Sequence, residues 1–362
     1  MINKKNVIIA FITLVVVVIG SICFLIFGKP DFELKYSETY PVTNPFSIGS
    51  YFKIGGFSDL FFYNNHLYAI TDRGPNTDIE NQKGRDIRNF PLSTNYHPYL
   101  VEFELKNNEA KITKTRNLDL TGIPIAEEKD CYPLDKNNND IPFDKDGVDS
   151  EALAVDRFAH FWIGDEYYPS ILEFDKDLKL LNRYAPKNSI YKSETITYNL
   201  PEEFVDVQKN LGFEAMTYDG EDHIFIFTQS SLKNGKTVKI IKFNIVSKQV
   251  DGIYDYSLGN GEKDIISAAV CLSSTEILTA ERRNGEHQLR VLTLIPQIVN
   301  YSKPVLLLKG MHGINKYHKI EGLAYNGKDT VYIINDNDFG IDTDNRQDSF
   351  IMEFKMNRKN RN

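Results

Sequence analysis

The chain is poor in cysteine, with three in 362 residues, one of them (Cys23) inside a leading apolar run. A disulfide framework is therefore excluded; Cys131 and Cys271 read as two unpaired buried thiols, with their pairing in an oxidising compartment as the alternative. There is no basic excess either. With 42 Lys+Arg against 50 Asp+Glu the formal net charge is -8, which excludes a nucleic-acid surface built from clustered Lys and Arg. Seven of the cations, Lys4, Lys5, Lys29, Lys355, Arg358, Lys359 and Arg361, lie at the two ends, so the body between them is more acidic than the total suggests. Tryptophan occurs once, yet 20 Tyr and 23 Phe raise the aromatic share to 12%, far above a disordered chain and enough for a sizeable core. Also missing are a G-x-S-x-G elbow, a Walker loop, an H-E-x-x-H pair and an R-H-G phosphatase motif. The seven His are scattered. His66 and His160 fall in turns and read as surface residues; His312 and His318 are candidate general bases near the end of the chain.

One long apolar run is present. Val7 to Phe27 carries no charge, and about 20 apolar residues at 1.5 Å rise span a bilayer core. It is longer than a cleaved signal's apolar region, and Ile22 precedes Cys23 where a lipoprotein signal carries a small residue. An uncleaved anchor is expected, with a cleaved signal as the alternative. Lys4 and Lys5 hold the N-terminus in the cytoplasm and send the rest outside it, to the periplasm or cell surface. The expected divisions are 1–28 cytoplasmic end and anchor, 29–47 linker and lead-in, 48–354 folded body, and 355–362 basic tail.

From Phe32 onward helical periodicity is absent, except over Glu202 to Asn210. Short strands separated by Gly, Asn and Asp turns repeat instead. Five segments share an acid, a small or apolar residue, a strand, a polar turn, a second strand and a polar pair: SDLFFYNNHLYAITDR from Ser58, SEALAVDRFAHFWIGDE from Ser150, FEAMTYDGEDHIFIFTQ from Phe213, SAAVCLSSTEILTAER from Ser267 and IEGLAYNGKDTVYIIND from Ile320. Aligned on their first acids, Asp59, Glu151, Glu214, Ser267 (a substitute) and Glu321 open the units, and Asp72, Asp165, Thr228, Glu281 and Asn335 close them. A third strand often follows, as in Ser170 to Asp175 and Val238 to Ile245. Such units are the blades of a β-propeller, all-β, with six blades favoured and five or seven open. The extra blade is expected around Tyr99 to Leu105 and Lys111 to Leu118.

First strands line a propeller's channel, so the openings should ring one mouth, backed by Asp72-Arg73, Asp165-Glu166, Glu281-Arg282 and Asn335-Asp336. Crowded carboxylates shift their pKa upward or take up a cation. An all-oxygen set without His or Cys suits a hard ion, Ca²⁺ more than Mg²⁺. The expected metal set is Asp59, Asp72, Glu151, Asp165, Glu166, Glu214, Glu281, Glu321, Asn335, Asp336 and Asp338, the last group continuing to Asp342 and Asp344. Thr228 and Gln229 are read as structural. A second candidate loop, Asp135 to Asp140, alternates oxygen ligands but lacks the EF-hand glycine.

Thr71 to Asn76 (T-D-R-G-P-N), the E-A-L and E-A-M openings at Glu151 and Glu214, E-G-L-A at Glu321 and N-D-N-D-F at Asn335 to Phe339 together resemble the phytase-like family, also called esterase-like activity of phytase. The resemblance runs from about Ile48 to Phe354, with a departure at Ser267. It implies a secreted or surface-attached propeller that hydrolyses phosphoric esters of small molecules. A polyanionic substrate is repelled by a carboxylate mouth unless calcium reverses the potential. On this reading Glu151, Glu214, Glu321, Asp165 and Asp336 hold cations that bridge phosphate and activate water, while Arg73 and Arg282 clamp phosphate. Two alternatives stay open: a calcium-dependent lactonase or carboxylesterase propeller, and a non-catalytic binding propeller.

Overall fold

Asn64 and Asn65 both adopt positive φ (48° and 66°), the geometry of a type I′ turn, and close a tight hairpin between Phe57–Tyr63 and His66–Thr71. Longer turns close the other repeat hairpins. In three of them an Asx side chain organises the backbone, as where Asp156 accepts from the amides of Phe158 and His160 at 2.8 and 3.0 Å and Asn326 from Lys328 and Thr330 at 2.9 and 3.0 Å; in the fourth Ser273 Oγ takes the amides of Thr275 and Glu276. The structure, a computed structural model, describes residues 32–44, 46–49, 52–79, 87–125, 132–189, 193–207, 210–232, 235–258, 264–283, 286–295, 298–301, 304–308, 319–341 and 348–358. Val7 to Phe27, Cys131, His312, His318, Asp342 and Asp344 lie outside them. No described helix is long and apolar enough to cross a membrane.

Most of the described strands form five antiparallel groups of four, the first and fifth joined by a short parallel pairing at Val42↔Ala110 and Thr43↔Lys111, while Thr77–Ile79, Ile87–Phe90 and Tyr132–Asp135 make a separate small sheet and Ser47–Ile48 and Phe52–Lys53 another. The first is Phe57–Tyr63, His66–Thr71, Tyr99–Lys106 and Glu109–Asn117; the second Ser150–Val155, Phe161–Asp165, Ser170–Phe174 and Leu180–Pro186, extended by a parallel strand Ile196–Leu200. The third is Phe213–Tyr218, His223–Ser231, Val238–Asn244 and Gln249–Tyr256; the fourth Ile265–Cys271, Glu276–Arg283, Glu286–Ile295 and Ile298–Tyr301. The fifth is Lys319–Tyr325, Thr330–Asp336 and Phe350–Arg358, completed by the N-terminal strand Phe32–Thr43, which runs antiparallel to Phe350–Arg358 from Phe32↔Arg358 to Pro41↔Phe350. The strand from Tyr99 pairs with Leu67–Ile70, so Tyr99 to Leu105 and Lys111 to Leu118 are the outer half of the first meander and not a blade of their own. Glu202–Asp206 is one short 3₁₀ turn.

Five apolar clusters sit between successive sheets and close a ring. Ile70 and Leu100 meet Leu153 and Ile163 between the first and second; Ala152 and Trp162 meet Phe213 and Met216 between the second and third. Ala215 and Phe225 meet Ile266 and Ile277; Ala268 and Leu278 meet Leu323 and Ile333; Ala324 and Ile334 meet Phe57 and Leu60. First strands of neighbouring meanders touch all the way round, which makes the architecture a β-propeller. Gly322 marks how close they come: a Cβ there would lie 2.7 Å from the Leu60 amide nitrogen. Cys271 is a free, partly buried thiol whose pKa burial pushes up to about 12.

Candidate functional site

Every first strand carries a bulge at the same place, and the unpaired residue is Ser58, Glu151, Glu214, Ser267 or Glu321. A bulge turns its extra residue out of the ladder; Ser58, Glu151, Glu214 and Glu321 line a common cavity, while Ser267 donates to the Ile320 carbonyl at 2.6 Å. The first hairpin is one residue shorter than the others because of its two-residue turn, so aligning it on Asp59 slips it by one position. A one-residue slip reverses the face. Ser58 is therefore the equivalent of Glu151, and Asp59 faces the other way. It is fully buried and accepts the amides of Leu60 and Leu153 at 2.7 and 2.8 Å, tying two first strands together.

The same slip applies at the closing position. Thr71, Asp165, Thr228, Glu281 and Asn335 pair across the hairpins just before the bulges and are all fully buried. Their polar groups are used inside the sheets. Asp165 pairs with Arg183 and accepts from Ser170 Oγ at 3.2 Å. Glu281 accepts from Gln288 Nε2 at 2.8 Å and Arg290 Nε at 3.2 Å, and Asn335 Oδ1 takes the Phe350 amide at 2.7 Å. The residues that follow them, Asp72, Glu166, Gln229, Arg282 and Asp336, line a cavity of about 620 Å³ together with Ser58, Glu151, Glu214 and Glu321.

Of the sequence-derived residues, Arg73, Arg282, Asp72, Glu151, Glu166, Glu214, Glu321, Asp336 and Asp338 meet at this cavity. Asp59, Asp165, Glu281 and Asn335 are not among its lining. Sequence reasoning missed Asp149, Asn210 and Lys319 and set Gln229 aside. Asp149 and Lys319 stand two residues before Glu151 and Glu321, just outside the counted repeat. Gln229 lines the cavity and donates to Glu166 Oε1 at 3.1 Å. In the Asp135 to Asp140 loop the Asp135 carboxylate is taken by the amides of Asn137 and Asn139, both at 2.8 Å. His160 bonds Glu173 at 2.9 Å, and His66 pairs with Glu102 at 3.2 Å, both away from the cavity.

The carboxylates crowd one another. Carboxylate oxygens of Asp149, Glu151 and Glu166 lie within 4.8 Å of one another. Burial raises the Glu151 and Glu166 carboxyls well above the usual range, and neighbouring acids add to it, Asp149 first for Glu151 and Glu214 first for Glu166. Glu214 is pushed up to about 7 by burial, against a hydrogen bond from Gln229 and the field of Arg282. Asp336 rises to about 6 through burial, opposed by Lys319. Burial and the charge of Glu214 raise Glu321 strongly. Lys319 lines the same cavity, 2.6 Å from Asp338 and 3.5 Å from Asp336. Glu214 Oε2 and Glu321 Oε2 are buried without a hydrogen-bond partner. Such oxygens, beside three converging carboxylates and with no His or Cys in the cluster, fit a hard divalent cation.

Gly74 shapes the loop that carries Arg73. Its φ is +98° and its amide donates to Asp72 Oδ1 at 2.7 Å; a Cβ would meet the Tyr96 ring at 2.4 Å. That ring is buried and its hydroxyl is 2.6 Å from Thr71 Oγ1. Gly74→Ala is expected to destabilise by about 2 kcal/mol or more, read as a drop in the urea midpoint; an unchanged midpoint would contradict the assignment.

Among curated protein sequences none matches the chain. Solved structures similar to it include the PQQ-bound aldose sugar dehydrogenase of Streptomyces coelicolor, at 10% identity and TM-score 0.45, covering 91% of this chain and 100% of that one. Virginiamycin B lyase of Staphylococcus aureus is similar at 10% identity and TM-score 0.35, over 82% of this chain and 79% of that one. The family described as esterase-like activity of phytase matches residues 53–339. That span takes in all five bulges and every lining residue of the cavity except Ile341, and the chain belongs to this phytase-like family.

Proposed function

We propose that the cavity is the active site of a calcium-dependent hydrolase of phosphoric esters. One observation carries the reading: Glu151 and Glu166, which line the cavity together with Arg282 and Lys319, converge within 4.8 Å on the fully buried Asp149 behind them. Asp149, Glu151 and Glu166 would hold the ion, which when bound supplies Lewis acidity and reverses the local negative potential. Arg282 offers a guanidinium fork to phosphoryl oxygens. Glu214, with a carboxyl near 7, is suited to take a proton from an attacking water at Oε2, the oxygen left without a partner. Lys319, held charged between Asp336 and Asp338, adds positive potential where charge builds on the phosphoryl group. About 620 Å³ is the size of a small-molecule site.

We read the five described meanders as the whole ring, a five-bladed propeller, and Val7 to Phe27 as the anchor that holds it outside the cytoplasm, with no nucleic acid among its partners. Phosphomonoesters, phosphodiesters and lactones assayed with calcium and with chelator test the function. Turnover of phosphoesters that disappears in chelator is expected; turnover of lactones alone would replace this reading with the lactonase one.

Proton linkage gives a second test. The raised carboxyls of Glu214 and Asp336 mean that the folded protein holds more protons than the unfolded chain between about pH 4 and 7, so stability falls as pH rises through that window. In chelator the melting temperature should decline from pH 5 to pH 8, and saturating calcium should flatten the decline. A melting temperature that rises over this range in chelator would contradict the charge arrangement.

A further inference from the structure

Arg73 is placed by sequence as a phosphate clamp, but its contacts point inward. Its Nη1 lies 2.7 Å from Asp149 Oδ2, yet the directional hydrogen bond from Nη1 goes to Asn210 Oδ1, and Asp149 Oδ2 accepts no hydrogen bond. The Arg73 amide donates to the other oxygen, Asp149 Oδ1, at 3.2 Å, and the guanidinium carbon stands 5.3 Å from the centre of the Tyr167 ring. Arg73 and Asp149 are both buried. The guanidinium therefore neutralises Asp149 by proximity and leaves the lone pairs of Oδ2 available, in the cluster where Asp149, Glu151 and Glu166 converge.

We propose that Arg73 is a positioning residue, an internal counter-charge that competes with a divalent cation for Asp149 and so sets the affinity of the acidic cluster for that cation. The proposal rests on the reading that this cluster holds calcium. A fixed positive charge a few ångströms from the ion position opposes cation entry, while the amide bond to Oδ1 keeps the carboxylate aimed. The two jobs separate by mutation. Arg73→Gln removes the charge and keeps the backbone amide; Arg73→Lys keeps the charge and loses the fork.

Calcium titrated calorimetrically into the chelator-stripped full chain reads the affinity, and melting in chelator reads the structural role. Arg73→Gln is expected to bind calcium about tenfold more tightly than wild type while melting lower in chelator; Arg73→Lys should stay within about threefold of wild type. An unchanged or weaker affinity in Arg73→Gln, or equal tightening in both variants, would overturn the proposal and leave the calcium reading standing. Absence of calcium binding by the wild type would overturn both. Should Arg73→Gln fail to fold, Asn210→Ala frees Nη1 to turn fully onto Asp149 and is expected to weaken calcium binding about threefold; an unchanged or tighter affinity there would overturn the proposal.

Discussion

Glu151→Gln is expected to lower kcat/KM on phosphoesters by about a thousandfold, equivalent to ~4 kcal/mol of transition-state stabilisation, and at the same time to raise the melting temperature in chelator. Both effects come from one position. Glu151 projects from a first-strand bulge into the cluster with Asp149 and Glu166, where burial and then the charges of Asp149, Glu214, Glu166 and Asp72 oppose its ionisation. A neutral amide of the same shape relieves that repulsion in the folded state and takes one anionic ligand from the cation site. Calorimetric calcium titration, steady-state kinetics and thermal melting on one preparation give the three readings. If activity survives Glu151→Gln at wild-type level, the acidic wall is not the catalytic one. If melting in chelator falls, Glu151 is a structural residue and the strained-cluster account is wrong.

The second large effect lies one step behind the cavity. Arg183→Met is expected to cost about 3–5 kcal/mol of folding stability, the range for removing one partner of a buried ion pair. Asp165 is fully buried and Arg183 nearly so. Besides their ion pair, Arg183 donates to Ser170 Oγ at 2.8 Å and to the Gly147 carbonyl at 3.2 Å, so the substitution strands Asp165 and two further acceptors. Asp165, whose carboxyl burial already pushes up to about 6 even with Arg183 opposing, would take up a proton. Adding Asp165→Asn to Arg183→Met should recover part of the loss. The Asp149 and Tyr167 amides both donate to Asp165 Oδ1 at 3.1 Å, so activity should suffer through Asp149 while the number of bound calcium ions stays the same. A change in that number would return Asp165 to the metal set; a loss under 1 kcal/mol would mean that the pair is not holding this corner of the fold.

The repeat was legible because the strand-turn-strand unit recurs with nearly fixed spacing, and three of its openings, Glu151, Glu214 and Glu321, reach the cavity wall. The first unit was misaligned for a physical reason. Asn64-Asn65 closes it in two residues where the others use longer turns, and the resulting count of thirteen instead of fourteen was the visible trace. Because side chains alternate along a strand, that single residue decided between the buried Asp59 and the cavity-lining Ser58. Asp149 and Lys319 precede the counted repeat, so no spacing rule reached them. Asp165, Glu281 and Asn335 were read as ligands because strand ends looked alike in sequence; which of two adjacent polar residues faces the channel depends on the bulge opposite. The fourth strand of the last meander escaped for another reason. It is Phe32–Thr43, which sequence order places as a lead-in and pairing places more than three hundred residues away.

That pairing governs when the molecule can become whole. Phe32 faces Arg358 across the ladder, so the earliest strand of the body to be synthesised waits for the last. Until the final segment emerges, Phe32–Thr43 presents an open edge able to pair with another chain, and the fifth sheet lacks its outer strand. Loop closure across nearly the entire chain makes ring completion a late, slow and cooperative event. A truncation that removes Phe350–Arg358 would therefore also unpair Phe32–Thr43, and the nascent protein is most exposed to self-association in the interval before these two strands meet.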